Sequence, residues 1–192
     1  NLNKQYLFEI NKPDIVKLHE NLNLTNNIFG HCNPKSSTGR LDIFCRTIVD
    51  YADEYEKIPK NYKGEIFLEV TSRSFNILLK SGDKLNQLRL IYNKHLYYID
   101  SELEEMNDKE KIIFEQNSNI KIDNRFKISV NLKDSKDPVA YCAKLDTPKI
   151  DFNKINHHTI NDFWQPIFGD SKSMIIEKNR FFSFKNEFIC II

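Results

Sequence analysis

The sequence is poor in several things. It has 5 glycines, 2 methionines and 1 tryptophan among 192 residues. It has no charge excess: 28 Lys and Arg face 27 Asp and Glu, a formal charge of +1. That balance argues against general DNA wrapping and against electrostatic adhesion to membranes. No apolar run approaches the ~20 residues that a membrane-spanning helix needs. No charged-then-apolar leader opens the chain. Cys32, Cys45, Cys142 and Cys190 are widely and irregularly spaced. They form no CxxC and no Cys/His cluster of zinc-site spacing. The zinc deaminase pattern, H-x-E followed by P-C-x-x-C, is missing too. His157-His158 is an adjacent histidine pair, and on a strand such neighbours point apart. The expectation is no protein-held metal, and free thiols in a reduced, cytoplasmic protein.

What is present is globular. Fourteen Phe and 8 Tyr are too many for a disordered tail. Short runs rich in Ile, Val, Leu, Phe and Tyr predict strands at 6–10, 15–18, 42–49, 65–70, 75–79 and 85–92. Asn33-Pro34 and Ser81-Gly82-Asp83 are turn signals between them. Residues 100–118 are rich in Glu, Asp and Lys and read as a solvated linker or short charged helix. A second β-like block follows: the alternating stretch 126–132, then 141–144, 175–176 and 188–192. Trp164, within Asp162-Phe163-Trp164-Gln165-Pro166, reads as a core anchor. The start at Asn1 and the apolar stop at Ile192 lead us to expect a fragment of a longer chain.

Three stretches could carry chemistry. Lys35-Ser36-Ser37-Thr38-Gly39-Arg40 packs two cations and three hydroxyls into six positions. Such a turn can offer charge-assisted hydrogen bonds to phosphate, although the P-loop spacing is absent. Taken alone, it reads as an exposed polar turn. In Glu65-Ile66-Phe67-Leu68-Glu69-Val70, strand geometry puts Glu65, Phe67 and Glu69 on one face. Either that face meets solvent, or Glu69 sits in a partly desolvated pocket as a general base. Gly82-Asp83-Lys84-Leu85-Asn86-Gln87-Leu88 reads as a turn entering a strand. The amide of Gln87 there could bind a ligand or simply satisfy the sheet.

In order, these stretches resemble the second, third and fourth motifs of the deoxyuridine triphosphatase and deoxycytidine triphosphate deaminase superfamily. The third is carried by Tyr62-Lys63-Gly64-Glu65. Glu69 stands five residues after Gly64, where the deaminase branch has its catalytic Glu and the triphosphatase branch an apolar residue. Asn33-Pro34-Lys35-Ser36-Ser37-Thr38-Gly39-Arg40 is most similar to the two-domain bacterial deaminases. The resemblance implies a mainly β chain of the dUTPase-like β-clip fold, a distorted jelly roll or barrel, with a partial second β unit. Residues 1–95 would form the first unit, 96–122 a charged linker, and 123–192 the start of the second.

The resemblance also implies an activity, conversion of dCTP to dUTP and ammonia without zinc. Glu69 would be the general base, with Ser36 and Arg40 completing the catalytic set. Lys35, Ser37 and Gln87 would bind substrate, and backbone groups of Ile48, Val49 and Asp50 would line the base pocket. Mg²⁺ would arrive on the triphosphate. The implied partner is dCTP within a homotrimer, with no nucleic acid and no membrane. Two other readings stay open, an inactive truncated remnant and a dUTP pyrophosphatase. The Asp50 region also resembles the triphosphatase hairpin, so a bifunctional enzyme is a further variant.

Overall fold

The computed structural model describes residues 4–92, 98–113, 122, 123, 126, 132, 134–169 and 182–184. Two compact units divide the chain: Asn1–Asn93 with Leu132–Ile192, and Lys94–Asn131.

The first unit is mostly β. Its elements are β1 (Gln5–Phe8), β2 (Asp14–Asn23), β3 (Phe29–Pro34), α1 (Ser36–Arg40), β4 (Ile43–Ile48), β5 (Lys57–Ile58), β6 (Lys63–Ser72), β7 (Ile77–Lys80) and β8 (Asn86–Ile91). After the second unit's helix α2 (Asp100–Glu110) come β9 (Asp134–Ala143), β10 (Ile150–Asp151), α3 (Ile160–Phe163), β11 (Trp164–Gly169) and β12 (Phe182–Phe184). The strands form four three-stranded sheets, ordered β1-β7-β10, β11-β9-β12, β2-β6-β4 and β5-β3-β8. Among the described residues none of them closes into a barrel.

β6 shows how sequence sets this architecture. Ile66, Leu68, Val70 and Ser72 alternate inward and are buried, while Glu65, Phe67, Glu69 and Thr71 face outward. The inward residues feed two clusters. Leu68 and Val70 join Ile43, Cys45, Phe75, Ile77, Phe163 and Trp164. Ile66 joins Leu24, Cys32, Val49, Ile58 and Tyr62. Trp164 is 1% exposed and packs edge-on against Phe75 at 5.3 Å. The core-anchor expectation therefore holds.

Several local expectations need correction. The stretch 35–40 is an exposed turn only in part, with Lys35, Ser36 and Gly39 exposed. Ser36–Arg40 is a single short helical turn, and Thr38 is fully buried. Its Oγ1 donates to the Leu85 carbonyl at 3.0 Å, and that bond draws it inward. The Phe29–Pro34 strand was hidden by its Gly, Pro and polar residues. Gly30 packs closely there, since a Cβ would come within 2.7 Å of Leu88 Cδ1 and 3.1 Å of Ile58 Cγ1, so those side chains would have to shift. His157 and His158 do not point apart, since they lie outside any strand and their rings meet edge-on at 5.3 Å. The charged stretch after residue 99, by contrast, meets the expectation of a short charged helix: Asp100–Glu110 has no buried residue. Its first turn is capped by the Ile99 N–H donating to Glu102 Oε2 at 2.9 Å. Of the expected strand 126–132, only residues 126 and 132 are described. The stretches 175–176 and 188–192, with Cys190, lie outside the described residues.

Candidate active site

Glu69 stands in the middle of β6, the central strand of its sheet. The register sets Arg46 of β4 opposite it on one side and Ile15 of β2 on the other. Arg46 Nη2 donates to Glu69 Oε1 in a close ion pair. Tyr55 Oη donates to Glu69 Oε2 at 3.3 Å. The Arg46 guanidinium lies over the Tyr55 ring, 4.2 Å from its centroid, so three side chains close on one another. This cover shelters the carboxylate. The Glu69 side chain is 18% exposed, whereas Glu65 on the same face is 48% exposed. The hydrogen bond to Glu69 raises the pKa of Arg46 above that of an ordinary guanidinium.

The loop after β4 puts Tyr55 in place. Glu56, the next residue, has φ 67°. Its N–H donates to the Thr47 carbonyl at 3.2 Å, and its Oε1 accepts from the Thr47 N–H at 3.2 Å. Thr47 adjoins Arg46, so this bracket delivers Tyr55 beside the guanidinium. Glu56 Oε2 is buried with no hydrogen-bond partner among the described residues. The nearby thiols feel both burial and this carboxylate. Burial first, then Glu56, pushes Cys45 up to about 12. Burial likewise raises Cys32.

Leu85 gathers the α1 group. Its carbonyl accepts from the Lys35 N–H at 2.9 Å and from Thr38 Oγ1 at 3.0 Å. The next residue, Asn86, donates from Nδ2 to Thr47 Oγ1 at 2.8 Å. Gln87 follows on β8, paired with Asn33 and exposed. So α1, the end of β4 and the start of β8 are tied together. Lys35 and Ser36 are exposed, while Ser37 and Arg40 are half-buried. Ile48 ends β4 half-buried, Val49 is buried, and Asp50 is exposed. The side-chain partners of Glu69 are Arg46 and Tyr55, not the residues of α1.

The residues around α1 offer cations and hydroxyls suited to phosphate oxygens. Among the described residues no group of three His, Cys, Asp or Glu is placed to hold a metal. Among the described residues no helix is long and apolar enough to cross a membrane.

Sequence reasoning missed Arg46, Tyr55, Glu56 and Thr47. The alternation Phe44, Arg46, Ile48 marks one outward face of β4. Its register against β6 depends on the loop between them, which the sequence does not fix.

A structure of similar shape exists, the crystal structure of 2'-deoxycytidine 5'-triphosphate deaminase from Agrobacterium tumefaciens. It is 32% identical with a TM-score of 0.84, covering 94% of this chain and 53% of that one. This chain thus spans about half the length of that neighbour. No curated protein matches it. The fold is the mainly β, dUTPase-like fold of that neighbour. Residues 1–94 match the 2'-deoxycytidine 5'-triphosphate deaminase (DCD) N-terminal domain, and residues 99–191 match its C-terminal domain. The chain belongs to the 2'-deoxycytidine 5'-triphosphate deaminase family.

Proposed function

We propose that this chain supports the hydrolytic deamination of dCTP to dUTP and ammonia, supplying dUTP for dTTP synthesis. The observation that carries the reading is Glu69. It is a sheltered carboxylate on the central strand, at the position where the family resemblance calls for the base.

The chemistry moves both protons of one water. Glu69 takes the first as the oxygen attacks cytosine C4 and passes it to the ring nitrogen N3. It then takes the second from the new C4 hydroxyl and delivers it to the departing amine. Ammonia leaves, C4 becomes a carbonyl, and the carboxylate is regenerated. Positioned proton transfer of this kind contributes ~10²–10⁴-fold. Ser36 and Arg40 orient the water and polarise the reacting centre. Lys35 and Ser37 meet the triphosphate, Gln87 adds an amide, and Ile48, Val49 and Asp50 offer backbone groups to the base. Mg²⁺ enters on the phosphates and no zinc takes part. The buried thiols Cys32, Cys45 and Cys142, which form no disulfide, suit a reducing cytoplasm.

The working form is a homotrimer. In support, Ile15, 68% exposed, and Phe44, 53% exposed, flank the charged residues of the face bearing Glu69 and would gain cover in an assembly.

Ammonia release from dCTP tests the reading. Glu69→Gln should lower the rate by at least ~10²-fold, and full activity in that variant overturns the assignment. The second reading is an inactive remnant of that enzyme. The absence of both ammonia release and thermal stabilisation by dCTP would support it. Pyrophosphate release from dUTP without ammonia from dCTP would instead point to a pyrophosphatase.

A further inference from the structure

We infer that Arg46 and Tyr55 are positioning residues for Glu69. Arg46 fixes Oε1 and with it the plane of the carboxylate, while Tyr55 shelters Oε2 until water takes its place. This rests on the reading of Glu69 as the base.

The two carboxylate oxygens are held unequally. Oε1 meets the Arg46 guanidinium directly. Oε2 meets the Tyr55 hydroxyl at 3.3 Å, beyond the usual 2.5–3.0 Å of an O–H···O bond. A weakly held oxygen is the one a reacting water can claim. The tightly held one fixes the plane of the carboxylate, so the free lone pairs of Oε2 keep a constant direction.

Exposed ion pairs of long side chains usually contribute little, because both partners must be immobilised. Arg46 is restrained differently. Its backbone is paired with Glu69 across β4 and β6. Its guanidinium is backed by the Tyr55 ring, a cation–π contact. Tyr55 in turn is held by the bracket between Glu56 and Thr47. The arrangement is therefore set by backbone on both sides.

The other charges nearby do not compete for the role. On β2, the residue opposite Glu69 is the apolar Ile15. Further along the same face, Lys17 is engaged by Glu65. On β4, Arg46 is flanked on its face by Phe44 and Ile48. From the loop, Glu56 is an anion felt by Arg46. Among the described residues, Arg46 is the cation in contact with Glu69. Removing it frees the carboxylate to rotate, so Oε2 no longer faces a reacting water in one fixed direction.

The test is steady-state ammonia release from dCTP by the full chain. Arg46→Gln should lower kcat by about tenfold or more, while KM for dCTP changes less than about twofold. Arg46→Lys should recover part of that loss, because it restores the donor without the planar fork. Tyr55→Phe should give a smaller loss of kcat and is the readout if Arg46→Gln does not fold. An unchanged kcat in the folded variants overturns the inference and leaves Glu69 as base intact. Full ammonia release by Glu69→Gln overturns the base reading itself, and this inference with it.

Discussion

Asp151 is a buried carboxylate whose neighbours outweigh its burial. Desolvation works to raise its pKa, but Gln5 Nε2 donates to Oδ1 at 2.7 Å, and Asn153 donates from its backbone N–H at 3.0 Å and from Nδ2 at 3.3 Å. The net result is a folded pKa below the ordinary carboxylate value. The stabilisation is therefore fully present above the unfolded value of about 3.9. It is lost as pH falls through the lower, folded value. Asp151→Asn should be less stable than the parent chain in urea at pH 7. The gap should narrow when the same titration is run at about pH 3. A gap that is constant with pH would assign the effect to shape and not to charge.

At the scale of elements, α1 is held by two bonds to one carbonyl, from the Lys35 N–H and the buried Thr38 hydroxyl. Thr38→Val keeps the shape but removes one of the two donors to Leu85, a loss of about 1 kcal/mol. Chemical denaturation should show that loss, and KM for dCTP should rise if Lys35 and Ser37 meet the triphosphate. Legibility differed from element to element. The inward and outward faces of β6 could be read directly, because strict alternation of Ile, Leu and Val with Glu and Phe leaves one arrangement that buries the aliphatics. The turn at Gly82-Asp83 was legible for its own chemistry: Gly82 has φ 94°, and Asp83 Oδ2 accepts the Lys80 N–H at 2.8 Å. β3 and the burial of Thr38 were not legible, since each answers to a residue distant in sequence, Leu88 or Leu85. The candidate site divides the same way. Glu69 and the motif around Lys35 stood out locally. Arg46 and Tyr55 belong to it through strand register and a loop bracket that no local pattern encodes.

At the scale of the whole first unit, residues from both of its stretches share one core. Phe163 and Trp164 meet Phe75 edge-on at 5.6 and 5.3 Å, and Ile150 lies in the same cluster. Trp164→Ala should cost about 3–5 kcal/mol. Circular dichroism and amide exchange should show β1, β7 and β11 losing protection together, because the cavity opens where they converge. Protection that survives in β1 and β7 alone would refute a shared core. The strand order β1-β7-β10 carries a further meaning for synthesis. β7 is the middle strand, and its second partner, Ile150–Asp151, is made long after it. Contacts so distant along the chain are slow to form. Until the ribosome has delivered them, β7 has one hydrogen-bonding edge open to other nascent or misfolded chains. The chain's exposure to aggregation is thus greatest during translation, and a chaperone that covers β7 in that interval would protect it most.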